Sequence, residues 1–239
     1  MKINKITQYQ DKVLKLLSGK MEGFYLAGGT ALSRVYFNHR LSLDLDFFTQ
    51  NFNPDAIRKI VANLEEALGK EIKLAGQTAG KGRVRMVVYY LAIDKENTLK
   101  MDFVEDWVKL IKPLKSVDGI DVLSKEDIYF RKILAITGFI ESVDVVGRKR
   151  FLGGREEAKD FYDLYFLSHT FMSLSAFART YCDASQREGL IRWFRTYSRL
   201  DMKTGIMELR TQARPDYNQM ERHFKKEIDK LIEKEIEFQ

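Results

Sequence analysis

Asp44 and Asp46 are the residues whose types and spacing best suit chemistry. They lie in Leu43-Asp44-Leu45-Asp46-Phe47, where apolar and acidic residues alternate with period two. An extended strand would present both carboxylates on one face and send Leu43, Leu45 and Phe47 to the core. Their Cα atoms would lie about 6.5–7 Å apart, near enough for both side chains to reach one divalent ion or a pair. Like charges so placed repel unless a cation or hydrogen-bond donors offset them. Upstream, Gly28 and Gly29 follow the apolar lead-in Phe24 to Ala27 and precede Leu32, Val35 and Tyr36 at helical spacing. A glycine turn opening a helix lets backbone N–H groups approach an anion closely. A phosphate cradle facing metal-binding acids suits a nucleoside triphosphate and its magnesium.

Later segments hold further candidates. Arg83 to Ile93 and Thr98 to Val104 read as a β-hairpin around the turn Asp94-Lys95-Glu96-Asn97. On its returning strand Lys100, Asp102 and Val104 share a face, so Asp102 is a candidate third carboxylate. A solvent-facing Asp102, or one paired with Lys100, is the plainer alternative, and Glu105 and Asp106 are rival acids. Lys132 sits among Ile128, Ile133, Ile136 and Ile140 on a helix expected over about 125–140. It either snorkels outward, which composition alone favours, or points at something negative. Asp160 and Asp163 fall on a helix expected over 156–167 and pair with basic side chains or serve a site.

The supporting elements follow from the same patterns. A short amphipathic helix spans 3–18, and Asn53-Pro54-Asp55 starts a second that Gly69 closes. Glu71 to Ala75 reads as a strand followed by a flexible loop, Gly76 to Gly82, whose glycine spacing is not that of a Walker phosphate loop. From about residue 113 the pattern turns helical and strand candidates end. Arg148, Lys149, Arg150 and Arg155 mark a basic loop; Arg192, Arg195 and Arg199 mark one side of a helix, more often a solvated face than a nucleic-acid grip. A last helix runs from Tyr217 to Phe238. His39, His169 and His223 show no metal spacing.

The 239 residues are 45% hydrophobic, enough for a sizeable core in one large domain or two small ones. The single cysteine, Cys182, excludes an internal disulfide and a cysteine-based zinc site. No signal-like or membrane-length apolar run occurs, so a cytoplasmic protein without membrane contact is expected. A net charge of +6 with a pI near 9.2 favours a polyanionic partner without requiring one.

Gly28-Gly29-Thr30-Ala31-Leu32 followed by Arg40-Leu41-Ser42-Leu43-Asp44-Leu45-Asp46-Phe47 resembles the AbiEii/AbiGii toxin family within the polymerase-β-like nucleotidyltransferase superfamily. The spacer is slightly long, and Thr30 stands where serine is common. The resemblance implies an α+β fold: a nucleotidyltransferase core over 1–112, a mixed sheet flanked by helices, and a helical region over 113–239 that completes the active site. It implies a two-metal mechanism in which Asp44, Asp46 and Asp102 hold two Mg2+ ions, with Mn2+ as a substitute. Gly28, Gly29, Thr30 and Ser33 would cradle the NTP beside Arg40 and Ser42 of the motif. Lys132 would contact its phosphates, and Asp160, in the late motif Lys159 to Leu167, would orient Lys132 or help activate the acceptor. The implied reaction moves an NMP to an acceptor, with the 3′ end of tRNA expected, in a toxin of phage defence encoded beside a cognate antitoxin. A protein or small-molecule acceptor, and an inactive binding relative, are the competing readings.

Overall fold

Alternating apolar residues build a seven-stranded mixed sheet in the first of two units into which the chain divides. The computed structural model describes residues 5–78, 84–138, 140–143, 146, 149–152 and 154–237. The first unit comprises Met1–Tyr36 and Ser42–Ser124, the second Phe37–Leu41 and Lys125–Gln239. No helix among the described residues is long and apolar enough to cross a membrane.

In chain order the first unit contains α1 (Lys5–Leu17), β1 (Tyr25–Leu26), α2 (Gly28–Ala31, running on as a π-helical segment, Leu32–Phe37), β2 (Leu45–Thr49), α3 (Pro54–Leu68), β3 (Ile72–Thr78), β4 (Met86–Ala92), β5 (Thr98–Glu105), β6 (Lys115–Val117) and β7 (Ile120–Val122). The sheet order is β3-β4-β5-β2-β1-β7-β6. β2 runs parallel to β5 and antiparallel to β1. Leu45, Phe47, Leu99, Met101 and Phe103 are wholly buried, and Phe103 stacks on Phe47 at 5.5 Å and meets Phe24 edge-on at 5.8 Å. Leu43, expected in the core, is half-buried. Asn53 caps α3 by accepting from the Asp55 and Ala56 amides at 2.9 and 3.3 Å. Gly69 ends it at φ +58°, a conformation glycine adopts without a steric cost.

Two strand expectations are corrected. β3 continues to Thr78 through an irregularity between Leu74 and Gly76, because β4 offers a full edge to pair with. Residues 79–82, the rest of the expected loop, and Arg83, the expected start of the next strand, lie outside the described residues. Strands also continue past residue 113: β6 and β7 pair across Val117↔Ile120, leaving Asp118 and Gly119 as a two-residue turn with φ +50° and +74°. Asp-Gly is a strong short-range hairpin signal, overlooked because the surrounding composition favours helix.

The second unit holds α4 (Lys125–Thr137), the hairpin β8 (Ile140–Val143) and β9 (Lys149–Leu152), then α5 (Ala158–Thr170), α6 (Leu174–Tyr181), α7 (Ala184–Thr196), α8 (Arg199–Glu208) and α9 (Tyr217–Glu237). Its core is aromatic. Phe161 meets Phe224 at 4.7 Å and Tyr197 at 5.5 Å, and Tyr129 stacks on Phe177 at 4.0 Å. Met220, Phe224, Ile228 and Leu231 bury one face of α9.

Candidate active site

The parallel pairing of β2 and β5 sets Asp46 directly beside Asp102. Neighbouring strands lie about 4.8 Å apart, so the two backbones present their carboxylates as a pair. Burial of Leu45 and Phe47 on one strand and Met101 and Phe103 on the other forces the acids to the opposite face. Asp44 lies just ahead of β2, and its backbone is clamped. Its carbonyl accepts from Gln10 Nε2 of α1 at 3.1 Å and from Thr30 Oγ1 at 2.5 Å. Thr30 Oγ1 also lies 2.8 Å from Ser42 Oγ, and Gln10 reaches the Ser42 carbonyl at 3.1 Å. Gln10 and Thr30 are both wholly buried, so the donor side of these bonds is fixed by packing although Ser42 and Asp44 are half-buried.

Gly28 closes against the same acids. Its φ is +64°, and a Cβ built there would stand 2.7 Å from Asp46 Oδ2. Any side chain would displace the carboxylate as well as strain the backbone. Gly28→Ala is therefore expected to lower stability by about 1–2 kcal/mol, the cost of a left-handed non-glycine residue. It should also slow any reaction that uses the Asp46 carboxylate by roughly tenfold or more beyond that, the equivalent of about 1.4 kcal/mol of lost transition-state stabilisation. A thermal melt alongside a rate measurement separates the two.

One cation already sits among the acids. Lys100 Nζ is 2.5 Å from Asp102 Oδ2. Burial works against its charge, but Asp102, then Asp44 and Asp46, outweigh burial and raise its pKa above the usual lysine value. Three carboxylates thus act on one ammonium. Among the described residues no three His, Cys, Asp or Glu side chains are gathered into a ready metal cage. Asp46 and Asp102 are an oxygen-only pair on one sheet face with Asp44 just off the strand, and carboxylate oxygens are the donors a hard divalent ion such as Mg2+ takes.

Lys132 does not snorkel. In the second unit it is 5% exposed, with Nζ 2.5 Å from Asp160 Oδ1 and 2.7 Å from Asp163 Oδ2. Asp163 also receives a two-pronged contact from Arg40, Nε at 2.6 Å and Nη2 at 2.7 Å, and lies 2.7 Å from His39 Nε2. Asp160 is gripped from its other side by Arg155 at 2.5 Å. Burial would push both carboxyls up, yet Lys132, with Arg40 for Asp163 and Arg155 for Asp160, holds both below the usual range, Asp163 far below it. Burial would lower Lys132, and the two acids raise it instead. Buried Arg40 and Lys132, with the half-exposed Arg155, leave neither Asp160 nor Asp163 without a counter-charge, which is how buried ionised groups persist in a core.

The expected site residues thus fall into two sets. In the first unit Asp44, Asp46 and Asp102 act on Lys100, Gly28 abuts Asp46, and Thr30, bonded also to Ser42, supports the backbone of Asp44. Ser33 is buried, its hydroxyl 3.3 Å from the Thr30 carbonyl, and Gly29 is buried in α2. In the second unit Arg40, Lys132 and Asp160 form one network with Asp163 and His39. Lys100, Gln10 and His39 were not expected to matter. Lys100 carried a signal, since it shares a strand face with Asp102; Gln10 carried none. Two surface expectations fare differently. Arg192 pairs with Glu188, and Arg199 with Glu221 and the Phe194 and Tyr197 carbonyls, so both are engaged locally. Arg148 lies outside the described residues, and Lys149 and Arg150 are described through the backbone pairing of β9.

A mixed sheet with paired acids on neighbouring parallel strands, followed by a helical region, is a nucleotidyltransferase-like fold. The chain belongs to the nucleotidyl transferase AbiEii toxin family of type IV toxin–antitoxin systems, whose profile matches residues 13–237. Similar solved structures include JHP933 from Helicobacter pylori, with 18% identity and a TM-score of 0.55 over 97% of this chain and 94% of that one. A second H. pylori protein, provisionally assigned as a nucleotidyltransferase, has 17% identity and a TM-score of 0.56 over 95% of both chains. Among curated proteins none matches the chain significantly.

Proposed function

We propose that this chain transfers a nucleoside monophosphate from an NTP to an RNA acceptor, with the 3′ end of tRNA as the first choice, in a reaction that depends on Mg2+. The observation that carries the reading is the register pairing of Asp46 with Asp102 beneath a glycine that leaves no room for a side chain. Asp44, Asp46 and Asp102 would hold the ion. Bound there, it supplies Lewis-acid stabilisation of phosphoryl oxygens and eases loss of the acceptor's proton. Amide N–H groups at the start of α2 have no carbonyl partner within their own helix and suit the triphosphate. Thr30 and Gln10 keep Asp44 in place, and Gly28 keeps Asp46 from being pushed aside. Lys132 would contact the phosphates, and Asp160 would orient it.

The net charge of +6 supports RNA over a neutral metabolite as acceptor. A neutralising antitoxin is the expected protein partner, and phage defence the expected setting. Incubating the protein with each α-labelled NTP, Mg2+ and total bacterial RNA tests the reading. Label in a tRNA-sized band, dependent on Mg2+ and absent with Asp44→Ala/Asp46→Ala, is the expected result. Label in protein or in a small molecule instead would reassign the acceptor, and no label in any fraction would reject the transfer.

A further inference from the structure

Lys100 and Asp102 stand two residues apart on β5, so their side chains leave the same face of the strand. The ammonium reaches back 2.5 Å to Asp102 Oδ2. The lysine side chain is 34% exposed, whereas that of Asp102 is 10% exposed. Across the sheet Lys100 pairs with Tyr90, itself 42% exposed, so the lysine stands on a partly solvated stretch of this sheet face. The arrangement differs from that of Lys132, whose Nζ is held between two wholly buried carboxylates.

We propose that Lys100 is a built-in counter-ion of the carboxylate cluster, holding Asp102 in the metal-free protein and giving way to a divalent cation when one enters. This inference rests on the assignment of Asp44, Asp46 and Asp102 as the metal-holding acids. Without a cation, Asp46 and Asp102 side by side on neighbouring strands, with Asp44 close to the same ammonium, repel one another. An ammonium tethered to the same strand relieves that repulsion and keeps the acids aimed together. It also competes with the metal, because the Asp102 oxygen it holds is one the ion needs. Displacing it requires only a side-chain rotation toward solvent, with no movement of β5. Lys100 is therefore a positioning residue that sets how tightly, and at what metal concentration, the site fills.

Titration of the full chain with Mn2+ alone, followed by electron paramagnetic resonance of the free ion, tests the idea without any nucleotide or turnover. Lys100→Met keeps the apolar stem and removes the charge; Lys100→Gln keeps a hydrogen-bond donor and guards against a folding defect in the first variant. Both are expected to bind Mn2+ about tenfold more tightly than the unsubstituted protein, since one neighbouring like charge shifts an ionic equilibrium by roughly that factor. Both should also melt at a lower temperature without metal and gain more from Mn2+. Asp46→Asn should abolish the binding in each background. Equal or weaker Mn2+ binding by the lysine variants would overturn the role of Lys100 and leave the metal site standing. Absence of Mn2+ binding in every protein, the unsubstituted chain included, would overturn the metal assignment itself and this inference with it.

Discussion

Asp163→Ala is expected to lower the unfolding free energy of the second unit by about 3–5 kcal/mol, the usual cost of removing one member of a buried ionic group. The carboxylate is wholly buried and has His39, Arg40 and Lys132 around it at 2.6–2.7 Å. Its loss leaves Arg40 without its two-pronged partner and Lys132 with Asp160 alone. Denaturant unfolding followed by Trp193 fluorescence reads the effect where it occurs. Trp193 is buried against Phe161, Tyr197 and Phe224, and Trp107→Phe removes the other tryptophan. A change below about 1 kcal/mol, the range of surface pairs, would mean the network is not closed to water.

The same residue carries a pH dependence with a definite sign. Its folded pKa lies below the unfolded value of about 3.9, so its stabilisation is fully present above that value. As pH falls below about 4–5, the unfolded chain takes up a proton that the folded chain does not, and stability drops toward the folded pKa. Asp160, also lowered, adds a slope of the same sign. Asp163→Asn should flatten the acid limb of the stability curve by up to about 1.4 kcal/mol per pH unit. An acid limb unchanged by that substitution would reject the assignment.

Asp46→Asn is expected to slow nucleotidyl transfer on the order of 10³-fold, comparable to the loss of a major electrostatic contributor to a transition state. Stability should stay within about 0.5 kcal/mol of the starting protein. Asp46 is half-buried, and the substitution keeps its shape while removing a charge that opposes Asp44 and Asp102. The two readouts separate a catalytic acid from a structural one. Rate and melting temperature falling together would make Asp46 a packing residue; full retention of rate would remove the carboxylates from the mechanism.

Much of the first unit was legible because its determinants are local. The alternation Leu43 to Phe47 places Asp44 and Asp46 without reference to any other segment, and Asn53-Pro54 starts α3 for reasons contained within one turn of helix. The Asp118-Gly119 turn was as local and was missed through reliance on composition. Hairpin alternation likewise places Asp102 on the strand face opposite Met101 and Phe103, although strand sequence carries no information about which neighbour it will pair with. The register that sets Asp102 beside Asp46 joins residues 56 positions apart and is parallel, so no tight turn encodes it.

The direction of Lys132 shows where local reasoning ends. Its helical neighbours favour snorkelling, and the structure turns it inward, because Asp160 and Asp163 one helix later place two negative charges within 2.7 Å. Arg40, 123 residues from Asp163, becomes its two-pronged partner although it sits in the motif that suggested a phosphate. By itself the sequence determined the periods, caps, acid pair and family motif, all set by neighbours within a few residues. The tertiary structure alone decided which charge meets which, because the energy of a buried ion depends on counter-charges a few ångströms away in space, however far apart they lie in the chain.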